Sequence, residues 1–424
     1  MIKLIGFKIF GHSLFENNTH FTLQTSGQIT QKSKNRIIQF NNVLTLNRVI
    51  GIVGINATGK STLMEIFDGL NQLYLLDKSV DQTPLNDRLR SKDDQITINA
   101  YLATDTNDSY VVKTTFKNVP IPDGIDDGSN KEWIISDETV YHRKSKSVTK
   151  KDFFKIPESS NDKNTLTKVI DRKALSQDQK KLLSKKDSVF RAVGDLGRIS
   201  TVSSTVSLTN RNKIISFMDN TPKELLDYLD NSIDDLIYEK DDAGKTVGYT
   251  LKFKGSDDII HATSFDELSN YLSSGTIKGI TLFHEFLVAL RMGSTLMVDE
   301  IELHINRQIV KDFIGFFANP KININNATLV YSSHYIELTD DLTRGDEEYI
   351  LTRKGQTKLT RLNDARIRTE LKHSEIFQNN TLSGTAPNYS AYLKLISAVK
   401  NHNHKFNSLK GATTKNTGVA VKND

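Results

Sequence analysis

Residues 54–61 read "GINATGKS". The pattern G-x-x-x-x-G-K-S is a phosphate loop only where a strand leads in and a helix leads out. Both flanks are present. "RVIGIVG" (Arg48–Gly54) is a β-branched run ending in glycine, the form of a buried strand. "STLMEIFDGLNQLYLL" (Ser61–Leu76) places Leu63, Ile66, Phe67, Leu70, Leu73 and Tyr74 at helical spacing. Between Gly54 and Gly59, the residues Asn56, Ala57 and Thr58 must pass close to an anion. Glycines at both ends let backbone N–H groups turn inward, and the following helix N-terminus favours negative charge. In such a loop Lys60 reaches the β- and γ-phosphates, Ser61 Oγ ligates Mg²⁺ and Thr62 hydrogen-bonds the α-phosphate. The implied cofactors are ATP and Mg²⁺.

A second chemical stretch lies far downstream. "TLMVDEIE" (Thr295–Glu302) presents Asp299 and Glu300 after an apolar run. A buried strand delivers its last residues to the carboxyl edge of a sheet, where a phosphate loop also lies. Asp299 is therefore the expected metal ligand. Glu300 is the expected general base that orients or deprotonates the attacking water. Two adjacent carboxylates are costly without a cation nearby, which favours the metal reading. Glu302 reads equally well as a supporting group or as a solvated residue.

"LSSGT" (Leu272–Thr276) opens an apolar helical run, and Asp299 follows Gly275 by 24 residues. That interval holds one helix of about four to five turns and then a strand. The arrangement resembles the signature helix of ABC-class ATPases, with LSSGT as a variant of LSGGQ. The resemblance implies that Ser273, Ser274 and Gly275 meet the γ-phosphate of ATP held by a second head. Two heads, and so a homo-oligomer of at least two copies, are then required. "ATLVYSSH" (Ala327–His334) reads as a further core strand, and by the same resemblance His334 at its end is the switch histidine. His304 falls where that class has its D-loop. No glutamine is placed for the Q-loop; Gln95 is the positional candidate.

Taken together, "GIVGINATGKSTLME", "LSSGT", "LMVDEIELHIN" and "LVYSSHYIELTD" resemble the AAA-15 and AAA-21 type ATPases with ABC-like heads, relatives of the overcoming-lysogenization-defect and RecF proteins. "SEIFQNNTLSGTAPNY" is also similar to prokaryotic members of this group. The resemblance implies an α/β fold: an ABC-type P-loop head with a mixed sheet core and an N-terminal antiparallel sheet. Many members lie beside an effector gene in anti-phage systems of the abortive-infection, Septu and PARIS types. The 90 residues after His334 carry no cluster of acidic residues at strand ends for a two-metal nuclease. The expected arrangement is thus an ATPase switch with a separate effector, a nuclease or toxin. The alternative is a DNA-repair or chromosome-associated ATPase that clamps duplex DNA.

The rest of the chain sets the organisation. "IKLIGFKIF", "THFTLQ" and the alternating run from Ile96 to Thr115 predict an N-terminal antiparallel sheet. The expected divisions are a head lobe with the P-loop (1–142), a mainly helical inserted arm (143–267), a second head lobe (268–407) and a disordered tail (408–424). Within the arm, "DDLIYE" and "TVGYTLKF" read as two strands around the turn "KDDAGK". "RKSKSVTKKDFFK" (Arg143–Lys155) is basic with interleaved aromatics, which leaves DNA contact open. His402 and His404 read as part of a solvated terminus, and residues 368–396 as a polar segment leading into a helix.

Composition closes other routes. The chain has 424 residues, a formal net charge of +5 and no cysteine, so disulfides and thiolate metal sites are excluded. No apolar run reaches the ~18 residues of a membrane span. The start of the chain lacks a signal-peptide pattern. A cytoplasmic protein with no membrane partner is expected.

Overall fold

The structure is a computed structural model that describes residues 1–31, 33–121, 131–144, 153–154, 166–193, 197–205, 221–365, 374–375 and 390–402. In chain order its strands are β1 (Ile2–Phe10), β2 (Thr19–Thr22), β3 (Ile37–Gln39), β4 (Thr45–Asn47), β5 (Val49–Gly54), β6 (Gln95–Thr104), β7 (Asp108–Pro120), β8 (Lys131–Lys144), β9 (Thr167–Asp171), β10 (Val202–Ser204), β11 (Ile233–Lys240), β12 (Thr246–Phe253), β13 (Ile259–Ala262), β14 (Thr295–Val298), β15 (Thr328–Ser333), β16 (Glu348–Lys354) and β17 (Gln356–Arg361). The α-helices up to residue 365 are α1 (Lys60–Leu75), α2 (Leu85–Arg88), α3 (Gln177–Leu182), α4 (Lys223–Leu229), α5 (Phe265–Leu268), α6 (Ser274–Met292) and α7 (Arg307–Ala318).

Two six-stranded sheets carry the head. The N-terminal sheet runs β2-β1-β6-β7-β8-β9 and is antiparallel throughout. The core sheet runs β10-β14-β15-β5-β16-β17; its first five strands are parallel and β17 returns antiparallel to β16. Every residue of β5, β14 and β15 is buried, as expected for strands covered on both faces. Helix α1 lies between the sheets. Phe67 meets Phe7 and Phe21 of the N-terminal sheet at ring separations of 6.5 and 5.5 Å, and α1 also touches β5 and β10. Helices α6 and α7 cover the opposite face of the core sheet through Phe286, Phe313 and Phe317, with centroids 5.0–5.5 Å apart. Each such ring contributes on the order of 2–3 kcal/mol by burial.

The order β14-β15-β5 positions the site. β15 separates the P-loop strand β5 from the acidic strand β14. All three are parallel, so their carboxyl ends open on one edge. The mixed core sheet plus the antiparallel N-terminal sheet is the expected α/β arrangement of sheets.

The stretch 143–267 corrects one expectation. Among its described residues strand exceeds helix: β9 to β13 stand against the short helices α3, α4 and α5. β11, β12 and β13 form their own antiparallel sheet. β9 pairs with β8, and β10 pairs with β14, so this stretch is woven into both large sheets rather than appended. Lys/Asp-rich runs suit a solvated helix face and a solvated sheet face alike, and pairing with distant strands decides between them. The basic stretch at 143–155 is also changed. Phe153 and Phe154 are buried and pack on Tyr101, 6.4 and 4.8 Å between centroids, so its aromatics are core and not a stacking platform for bases. Residues 145–152 and 155 of that stretch, His404 and the tail 408–424 lie outside the described residues. His402 is exposed at the end of a helix over 390–402. Among the described residues no helix is long and apolar enough to cross a membrane.

One buried cation makes a stability prediction. Lys3 of β1 is 3% exposed and its Nζ donates to Thr328 Oγ1 at 3.1 Å. Burial pushes its pKa down to about 7. Below pH 7 both folded and unfolded chains hold the proton, so the cost of burying the charge is present in full. As pH rises from about 7 towards the ordinary lysine value of 10.5, the unfolded chain holds more protons and stability increases. Lys3→Met is expected to stabilise the protein by roughly 2–4 kcal/mol at neutral pH and to flatten that rise. Urea unfolding at pH 6.5 and pH 9 checks both.

Candidate functional site

The P-loop leaves β5 and enters α1 through an irregular turn. Gly59, which caps α1, has φ 96, a left-handed value that glycine adopts without steric cost. Ala57 is also left-handed, at φ 61. Around this turn lies a cavity of about 630 Å³ lined by Asn56 to Thr62 together with Glu300 and His334. Residues from three separate motifs therefore meet at one wall. A cavity of about 690 Å³ between β2 and β17 lies away from these groups.

Lys60 is buried, and its Nζ donates to Gly54 O at 2.8 Å and stands 3.5 Å from His334 Nδ1. Burial lowers its pKa, and the charges of Asp299, Glu300 and Glu302 pull it back up. Ser61 Oγ donates to Asp299 Oδ2 at 2.6 Å. This hydroxyl–carboxylate pair is a donor set that suits Mg²⁺ beside a phosphate chain. Asp299 Oδ1 accepts from Ser332 Oγ, and Ser332 Oγ in turn accepts the Glu300 N–H at 2.9 Å. His334 Nε2 lies 3.2 Å from Glu300 Oε1, while the His334 N–H donates to Glu302 Oε1 at 2.6 Å.

The turn after β14 is strained close to these groups. Glu300 (φ 47) and His304 (φ 66) are both left-handed, at a cost of about 1–2 kcal/mol each. The hydrogen bonds to Ser332 and from His334 to Glu302 hold that turn in place. It ends against α6. A Cβ on Gly275 would come within 2.6 Å of His304 O, so only glycine permits this approach. Ser273 caps α6, its Oγ accepting the Thr276 N–H at 3.0 Å. Ser273 is exposed, and Ser274 and Gly275 are partly so. None of the three lines the cavity of the same chain.

Sequence reasoning left Glu302 undecided and Ser332 and Lys278 unread. Glu302 is buried and anchors the His334 backbone. Ser332 joins Asp299 to Glu300, and its place two residues before His334 was the available signal. Lys278 is buried one turn into α6; burial lowers its pKa while Asp299 and Glu300 raise it. Gln95 opens β6 at an exposed position and does not line the cavity.

No curated protein matches the chain. A solved SmcHead, bound to the C-winged helix domain of ScpA, is similar over 84% of this chain and 96% of its own, with a TM-score of 0.38 and 12% identity. The model of one family spans residues 49–340, from the strand before the P-loop to beyond His334. The chain thus belongs to the AAA_21 family, described as "AAA domain, putative AbiEii toxin, Type IV TA system".

Proposed function

We propose that this chain binds and hydrolyses ATP at a composite site formed by two copies, and that the closed pair switches a separate effector in a prokaryotic anti-phage system. The P-loop amides and Lys60 hold the triphosphate. Mg²⁺, held by Ser61 and Asp299, would supply charge neutralisation between the β- and γ-phosphates. Glu300 takes the proton of the attacking water. His334, within reach of both Lys60 and Glu300, contacts the γ-phosphate and transmits its loss to the turn anchored by Glu302. The exposed Ser273–Gly275 turn offers a helix N-terminus to the γ-phosphate of the neighbouring copy. The carrying observation is that Lys60, Ser61, Asp299, Glu300 and His334 converge by hydrogen bonds on one cavity, while the signature turn stays outside it and exposed. The toxin–antitoxin wording of the family description suits an abortive-infection setting, and the separate effector is part of the proposal.

A mixing experiment tests the composite site. Ser274→Arg blocks the turn that serves the neighbour and should spare nucleotide binding while abolishing turnover. Lys60→Ala disables the P-loop of its own copy. Mixed in equal amounts, the two inactive variants re-create intact sites only in heterodimers, one per pair, for about a quarter of wild-type activity. Turnover by Ser274→Arg alone, or no recovery on mixing although heterodimers form, would remove the head-to-head reading.

A further inference from the structure

A loop that turns its N–H groups towards a phosphate must turn its carbonyls outward, and those carbonyls need partners. Here Gly54, Ile55, Ala57 and Thr58 each have an identified partner. Gly54 O accepts from Lys60 Nζ (2.8 Å) and Ile55 O from Thr58 Oγ1 (2.8 Å), both within the loop and its helix. Ala57 O accepts from Arg353 Nη1 at 2.9 Å, and Thr58 O accepts from Thr357 Oγ1 at 2.9 Å. The last two donors come from the β16–β17 hairpin, almost 300 residues away in sequence.

The placement follows from strand pairing. β16 runs parallel to β5 with Leu351 opposite Gly54, so Arg353 arrives beside the loop apex two residues later. Its guanidinium is held from the other side as well, since Nε donates to Gly355 O at 3.2 Å in the hairpin turn. Thr357 is fully buried, and its backbone N–H donates to Leu14 O at 2.7 Å. That contact sets Leu14 and Phe15 against Gly59 on the outer wall of the loop. Ala57 needs such support most. Its φ of 61 is one that a residue with a Cβ adopts at a cost and glycine adopts freely.

We propose that Arg353 and Thr357 are positioning residues that hold the P-loop in its phosphate-ready shape before nucleotide arrives, with Arg353 offsetting the left-handed strain of Ala57. The nucleotide part of this proposal rests on the ATP reading above; the loop part does not. Arg353 acts from the solvent side through the Ala57 carbonyl and takes no part in the chemical step.

The test uses the full chain in two measurements. In the nucleotide-free protein, amide hydrogen exchange at Asn56–Gly59 should be faster in Arg353→Ala than in wild type and restored in part by Arg353→Lys. With Mg·ATP, Arg353→Ala should raise Kd about 3–10-fold, with kcat at saturating ATP changed less than about twofold. The same substitution in an Ala57→Gly background should cost less than about twofold, because glycine needs no help to hold a positive φ. Exchange in Arg353→Ala equal to wild type would overturn the proposal, as would an equal Kd penalty in both backgrounds. If wild type binds no ATP, the ATP reading fails, and the exchange comparison still decides the role of the hairpin. Arg353 is exposed, so its loss leaves the core packing intact.

Discussion

Glu300→Gln is expected to bind ATP with near-native affinity and to hydrolyse it about 10²–10⁴-fold more slowly, the range that a positioned general base supplies. The amide keeps the volume of the side chain and a hydrogen-bonding oxygen for His334, which lies 3.2 Å from Glu300 Oε1. It loses only the capacity to accept a proton. The backbone geometry should survive, because the Glu300 N–H is held by Ser332 Oγ at 2.9 Å independently of the side chain. Binding without turnover should accumulate the closed pair of heads. Size-exclusion chromatography with ATP should therefore show a dimer in the variant that is transient in wild type. Single-turnover hydrolysis at the wild-type rate would remove Glu300 as the base.

Lys60→Ala is expected to lose nucleotide altogether at ordinary concentrations. Its ammonium is buried at the cavity wall, where burial lowers its pKa and three nearby carboxylates offset that lowering only in part. A triphosphate in that wall is desolvated beside it, and removing one partner of a buried charge pair costs about 3–5 kcal/mol, or roughly 10²–10⁴-fold in Kd. The two variants should separate cleanly by calorimetry, with Glu300→Gln giving a binding isotherm and Lys60→Ala giving none. Because Lys60 Nζ also donates to Gly54 O, a melting curve distinguishes lost affinity from a destabilised loop.

What the sequence determined by itself is local chemistry on regular elements. Gly54–Ser61 between a β-branched run and an apolar helix, Asp299 and Glu300 after a buried strand, and Ser273 at a helix start are each readable because strand alternation, helix spacing and capping are short-range. Their order along the chain was enough to expect an α/β head with β5, β14 and β15 at its centre. The tertiary structure decided what depends on partners far away in sequence. Within 143–267, β9 and β10 form against β8 and β14, and charged runs leave their state open until those partners are present. Glu302 could be read either way until the His334 backbone arrived beside it. Arg353 and Thr357 carry no motif, since their role is to satisfy two carbonyls of a loop that parallel pairing of β16 with β5 brings alongside. The groups proposed to do chemistry are legible from their types and spacing. The groups that hold them in place are set by backbone hydrogen bonds closed over long sequence distances, and no short stretch of sequence records those.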